Sequence, residues 1–272
     1  VTKRPRLFVT VEGYAVEGGF DQTGAPSTCY LPTISLGRHE GAGSSDNLWR
    51  DYEQVLNFVP ELGFDGVRVT LEWARIEPQQ GRINEQALDR YGEVLRHARS
   101  LGLGVTVALI DAVWPAWLGL EAWLLPWVKP HVVEHAKRVA STFAGEVNGL
   151  VAFTQPDELV ARGFLNGTAP PWRRGANEEA QFASKEIDEL TASLQEDPMV
   201  GPLVVSSSTS FSLHDGPEEL SSLRATADVD ELYVRSLLRG SGPTRTESGL
   251  LVRRSDQWHV GASPEMLNAL RS

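Results

Sequence analysis

Arg68, Thr70 and Glu72 are spaced two apart in the run Gly66-Val67-Arg68-Val69-Thr70-Leu71-Glu72. On a β-strand that spacing sends all three side chains to one face. A guanidinium, a hydroxyl and a carboxylate then share one site. Asp111 closes the next strand-like run, Gly104 to Ile110, and would add a second acid to an Arg-bearing pocket suited to acid–base chemistry. The competing reading is an ion-pair network around Arg68 that only fills the core. Two other patterns point less far. His131-Val132-Val133-Glu134-His135 fits an inverted zinc-protease spacing, but it lies on a helix that a barrel would turn outward and has no third ligand, so no metal is expected. Trp114, Trp117, Trp123 and Trp127 crowd one loop, where their rings either stack on a ligand ring, of a sugar or another molecule, or pack the loop down.

Composition limits what such a pocket can serve. The chain has 272 residues, 41% hydrophobic and 22% charged, with a formal charge of −11, so it offers no broad cationic field to nucleic acid or anionic lipid. No apolar run approaches the ~20 residues that cross a bilayer. One cysteine, Cys29, excludes an internal disulfide framework and a multi-cysteine metal site. The basic start is followed by a strand-like run rather than a signal-peptide core, which predicts a cytoplasmic location. The expected partner is a small molecule, with no cofactor, nucleic acid or membrane.

The elements that must position these residues alternate. Strands are expected at Leu7 to Val11, Gly66 to Leu71, Gly104 to Ile110 and Leu150 to Thr154. Helices are expected at Trp49 to Leu62, Gln86 to Ser100, His131 to Phe143 and Glu178 to Gln195. Apolar strands separated by helices of this length require a parallel sheet covered on its faces. Beyond them the pattern compresses, with strands read at Leu203 to Ser207, Val229 to Val234, Pro243 to Thr246 and Gln257 to Gly261. Eight units suit a barrel of ~250 residues. The predicted fold is α/β: one domain over 1–272, a (β/α)8 TIM barrel, closed or nearly closed, with a thinned second half. Gly37 to Ser45 is expected to be a long loop over its mouth.

The stretch from Gly66 to Pro78, with Gly81 and Asn84, resembles the second-strand signature of glycoside hydrolase family 1, the β-glucosidase family, Tyr-Arg-Phe-Ser-Ile-x-Trp-x-Arg-Ile-x-Pro. Tyr14-Ala15-Val16-Glu17-Gly18-Gly19 is similar to its Tyr-Gln-x-Glu-Gly-Gly, Val105 to Pro115 to its third strand, and Gly163 to Pro170 to the Gly-Tyr-x-x-Gly-x-x-Ala-Pro after strand four. The resemblance covers residues 7 to 171 well and the rest thinly. It implies a retaining glycosidase, which needs two carboxyl groups about 5–5.5 Å apart at the carboxyl ends of strands four and seven.

The resemblance also marks where this chain departs. The strand-four motif Thr-Phe-Asn-Glu-Pro falls on Ala152-Phe153-Thr154-Gln155-Pro156, so Gln155 stands at the acid/base position. An amide positions water but cannot protonate a poor leaving group, a step usually contributing ~10²–10⁴-fold. Plant myrosinases of the same family carry Gln there and act on substrates whose leaving group is already good. The strand-seven Thr-Glu-Asn-Gly has one counterpart, Thr246-Glu247-Ser248-Gly249, which makes Glu247 the nucleophile and Arg68 its tuner. Ala15, Asp111 and Thr154 replace family residues that hold glucose hydroxyls, and Trp258 is the nearest relic of the strand-eight tryptophan motif. The candidate site is therefore Glu247, Gln155 and Arg68 for chemistry, with Tyr14, Glu17, Glu72, Asp111, Trp114, Thr154 and Trp258 toward substrate. Two functions follow: a divergent enzyme acting on a glycoside or sugar-like metabolite, including a barrel recruited to non-hydrolytic biosynthetic chemistry, or a pseudo-glycosidase that binds a ligand or partner. Asp157 and Glu158, next to Gln155, are alternative acids.

Overall fold

The computed structural model describes residues 6–20, 22, 24–201 and 203, and the backbone of 252–254 and 257–259. Four strands, β1 (Phe8–Val11), β2 (Gly66–Thr70), β3 (Gly104–Ile110) and β4 (Gly149–Phe153), form one sheet in sequential order. All three pairings are parallel, with Thr10, Arg68 and Thr106 side by side in one row and Val11, Val69, Val107 and Leu150 in the next. Leu203 bridges Leu150 in parallel, which sets a fifth chain segment against the outer edge of β4.

Helices return the chain between strands. In order they are α1 (Gly13–Val16), α2 (Leu31–Ser35), α3 (Leu48–Glu61), α4 (Trp73–Ile76), α5 (Glu85–Ser100), α6 (Val128–Thr142), α7 (Pro156–Val160) and α8 (Asn177–Glu196). The long ones form for legible reasons. In α3, Leu48, Tyr52, Leu56 and Val59 make one buried stripe, the spacing that an amphipathic helix needs. Helix α5 is capped by Asn84, whose Oδ1 accepts the Ala87 N–H at 3.2 Å, and ends with His97 and Arg99 at its negative pole. It buries Tyr91, Val94, Leu95 and Ala98 against the sheet.

The core lies between sheet and helices, where Val67, Val69, Val105 and Val107 meet Leu56, Leu95, Val132 and Val139. Leu95 is completely buried, and truncating such a residue to Ala costs about 2–5 kcal/mol. Strand β3 is buried along nearly its whole length, as a parallel strand covered on both faces should be. Among the described residues no helix is long and apolar enough to cross a membrane.

The expected strands Val229 to Val234 and Pro243 to Thr246 lie outside the described residues, as does all but Leu203 of the fifth. The expected eighth strand needs correction. Gln257–His259, here β6, pairs antiparallel with β5 (Val252–Arg254), Arg253 opposite Trp258. An antiparallel neighbour is not a strand of a parallel barrel, where a crossover separates successive strands.

Candidate active site

Because the strands run parallel, their carboxyl ends meet on one side, where barrel enzymes build their sites. Glu12 follows β1, Glu72 follows β2 by two residues, Asp111 follows β3, and Thr154 and Gln155 follow β4. The Thr154 N–H bonds to the Ile110 carbonyl at 3.0 Å, carrying the sheet pairing one residue further. Its hydroxyl donates a short hydrogen bond to Asp111 Oδ1. Gln155 precedes Pro156, which drives it out of helical geometry, with φ −143° and ψ 67°. Its carbonyl accepts the Leu159 N–H at 2.9 Å and opens α7. A π-type turn follows at Ala161–Leu165, a feature frequent beside functional sites. Asp111, Trp114, Gln155, Glu158 and Arg162 line a small depression here. The Glu158–Arg162 pair, at 3.7 Å and exposed on both sides, contributes little to stability.

The electrostatics of this mouth are acidic. Glu12 is half-buried, and its pKa is raised by burial and by Asp111, against the opposing pull of Arg68. The sequence reading missed Glu12. Its signal was position, directly after a strand end as with Asp111. Glu72 is 2% exposed, and burial, reinforced by the Glu17 carboxylate, pushes its pKa up to about 8. Its Oε1 accepts the Ala74 N–H at 3.4 Å and so caps α4. Arg68 is half-buried in the middle of β2. Glu12 thus feels both Asp111 and Arg68, and Glu72 feels Asp111, but Glu72 stands two residues beyond β2 as the N-cap of α4 rather than on the strand that the alternation assumed.

Glu17 is placed differently from a sugar-facing residue. Its Oε2 accepts from Arg75 Nε at 2.6 Å and its Oε1 from the Tyr91 hydroxyl at 2.6 Å. Tyr91 in turn accepts the Glu72 backbone N–H at 2.9 Å. Arg75 also donates to the Gly18 carbonyl and lies over the Phe20 and Trp49 rings at 4.2 and 4.3 Å. Gly18 has φ 72°, and a Cβ there would strike the Ser44 carbonyl, so two residues of the Glu-Gly-Gly motif serve this internal brace. Gly163 likewise admits the Pro170 carbonyl to where a Cβ would stand.

The aromatic candidates divide. Tyr14 is partly exposed, stacks on Tyr30 at 5.5 Å and accepts the Ala42 N–H at 3.4 Å. Trp172, from the loop after strand four, meets Tyr30 edge-on at 5.6 Å and stacks on His39 at 4.1 Å, so loops from β1 and β4 join over the mouth. Trp114 is 1% exposed and donates to the Gly119 carbonyl at 2.8 Å. Trp117 donates to the Glu77 carbonyl at 2.9 Å, and Trp123 packs on Phe153. These rings fasten the loop to the sheet. The zinc-like pair also parts: His135 is fully buried and stacked on Trp73 at 4.6 Å, while His131 meets Gln80 and Trp117. Among the described residues no group of three or more His, Cys, Asp or Glu is arranged to hold a metal. Glu247 lies outside the described residues, and Trp258 is described only as a backbone position of β6.

Known proteins share this chain's fold and part of its sequence. A β-glucosidase of rice, Oryza sativa subsp. japonica (β-glucosidase 26), is 26% identical over 168 residues, which are 60% of this chain and 32% of that protein. A β-glucosidase of an Agrobacterium strain is 28% identical over 183 residues, 65% of this chain and 39% of its own. The solved family 1 β-glucosidase of Thermotoga maritima superposes with a TM-score of 0.66 at 20% identity, and in that superposition 75% of this chain and 48% of the other are covered. The chain thus spans about a third of the length of the curated relatives and about half of the solved barrel. With the model of glycosyl hydrolase family 1 matching residues 8–193, through all four described strand ends, the chain belongs to glycosyl hydrolase family 1.

Proposed function

We propose that the mouth of this barrel acts on a glycoside or sugar-like metabolite whose leaving group departs without a proton from the protein. The observation that carries this reading is Gln155. It follows β4 by two residues, directly after Thr154, which is hydrogen-bonded to Asp111, and the resemblance of the strand-four motif sets it at the family's acid/base position. In the proposed cycle the Glu247 carboxylate attacks the anomeric carbon, and the bond to the leaving group breaks with its electron pair on that group. A water held by the Gln155 amide then attacks the same carbon, gives its proton to solvent, and releases the sugar and the free carboxylate. Arg68 is assigned to keep Glu247 ionised, and Tyr14 and Asp111 to meet sugar hydroxyls.

A second reading is favoured by the use already made of two expected sugar-facing groups. Glu17 is spent on Arg75 and Tyr91, and the Trp114 indole N–H on Gly119, which suits a barrel that binds a carbohydrate-like ligand without turning it over. Burst-phase release of nitrophenol from activated aryl β-glycosides, with intact-mass detection of a glycosyl adduct, separates the two. A burst and an adduct that Glu247→Gln abolishes support the enzyme. Absence of turnover and labelling in the wild type and in Gln155→Glu sinks it and leaves the binding protein.

A further inference from the structure

A cavity of about 590 Å³ lies beside the Arg75–Glu17 pair and shares no lining residue with the depression around Gln155. It sits between the first turns of α3 and α5, and Arg50, Arg75 and Arg90 all line it. Each guanidinium is held in place. Arg90 donates to the Trp49 and Arg50 carbonyls at 2.9 and 3.0 Å, Arg75 is clamped between two aromatic rings, and Arg50 donates to Gln22 Oε1 at 3.2 Å. Glu17 meets Arg75 from the core side and Glu93 meets Arg90 from outside, yet neither carboxylate lines the cavity. Arg50 meets no carboxylate among the described residues, and none of the described lining residues is acidic.

In a chain with a net charge of −11, three arginines border this cavity, and among the described residues Arg75 and Arg90 have carboxylate partners while Arg50 has none. Arg90 and Arg50 each keep guanidinium N–H groups beyond those used on the protein, since the group carries five donors. A volume in the few-hundred-Å³ range matches a small-molecule site, and several fixed guanidinium forks suit the three oxygens of a phosphate monoester better than a neutral hydroxylated ring. We infer that this cavity, formed by Arg50, Arg75 and Arg90 with Asn84 and Gln86, is a second binding site, for a small phosphorylated metabolite of about hexose monophosphate size.

The test is titration calorimetry of the full chain with a hexose monophosphate, inorganic phosphate and the neutral hexose at constant ionic strength. Wild type is compared with Arg50→Glu and, should that variant fail to fold by circular dichroism, with Arg50→Gln. Saturable binding of the hexose monophosphate is expected, competed by inorganic phosphate and weakened at least tenfold when Arg50 is changed. Three results would each overturn the assignment: no saturable binding of either anion, equal binding by the Arg50 variant, or a neutral hexose that binds as well as its phosphate. Because Arg50 is remote from the Gln155 depression, loss in its variant reports this cavity and not the mouth.

Discussion

Arg75 Nε and Glu17 Oε2 lie 2.6 Å apart although 58 residues separate them in the chain, and their side chains are 8% and 1% exposed. The pair ties the segment after β1 to the helix after β2. Tyr91 donates to the second Glu17 oxygen and Gly18 accepts from the far guanidinium nitrogen, so each charge has more than one partner on the protein.

Removing one partner leaves the other charge buried alone. Glu17→Gln or Arg75→Met is expected to cost about 3–5 kcal/mol of unfolding free energy. The double variant should cost less than the sum, because the two residues share one interaction. Denaturant titration of the four proteins measures this, and strictly additive losses would show that the pair is not coupled.

Glu72 gives a pH dependence of definite sign. Its folded pKa, about 8, stands above the ordinary 4.5 of the carboxyl group, so the folded state holds a proton that the unfolded state has released. Between pH 4.5 and 8 stability should fall as pH rises, by at most about 1.4 kcal/mol per unit, and level off above 8. Glu72→Gln should remove that decline. A wild type and variant with parallel stability profiles over pH 5–8 would refute the proton's presence.

His135 works in the opposite sense. Burial and the nearby Arg138 depress its pKa to about 3 from 6.5, so the unfolded state takes up a proton that the folded state refuses. Its contribution is complete above pH 6.5 and is lost as pH falls toward 3, again at up to about 1.4 kcal/mol per unit. His135→Phe, which keeps a ring against Trp73, should flatten the acid limb. Unchanged acid sensitivity in that variant would assign the limb to other groups.

At the mouth, placing a carboxyl group at position 155 tests the proposed chemistry directly. Gln155→Glu should raise turnover of glycosides with poor leaving groups by about 10²–10⁴-fold. It should change turnover of activated aryl glycosides little and add an alkaline limb to the pH–rate profile where the new acid loses its proton. Equal gains on both substrate classes would mean that Gln155 does not occupy the acid's place.

Breaking the Thr154–Asp111 bond should be felt in stability. Thr154 is 2% exposed, and Thr154→Val removes a hydrogen bond to a charged group, worth about 1.5–3 kcal/mol. A thermal or denaturant midpoint within error of wild type would show that the bond adds nothing.

Much of the first four βα units was legible in the sequence. The strand runs at Gly66, Gly104 and Leu150 and the helical stripes ending at Leu62 and Ser100 lie within a few residues of the observed elements, because apolar periodicity is local information. The short helices after the strand ends were not read. Trp73–Ile76 and Pro156–Val160 are too brief for a period to show, and one is set by a carboxylate cap while the other begins at a proline. Helix α6 begins at Val128, three residues before its apolar pattern suggested.

The same division runs through the site. Sequence by itself determined the family, the strand that carries Arg68 and Thr70, and the amide at position 155, since covalent order fixes which side chain follows which strand; it did not show that β2 stops at Thr70 and leaves Glu72 to cap the next helix. Only the tertiary structure decided what those side chains meet. Glu17 reads as a pocket carboxylate until a tyrosine 74 residues away and an arginine 58 residues away take both its oxygens. Trp114 reads as a sugar platform until its indole closes onto Gly119, and Glu12 went unread because only the parallel sheet brings it into the field of Asp111 and Arg68. Charge and hydrogen-bond partners act through a few ångströms of space, and residues far apart in the chain acquire that proximity only when it folds.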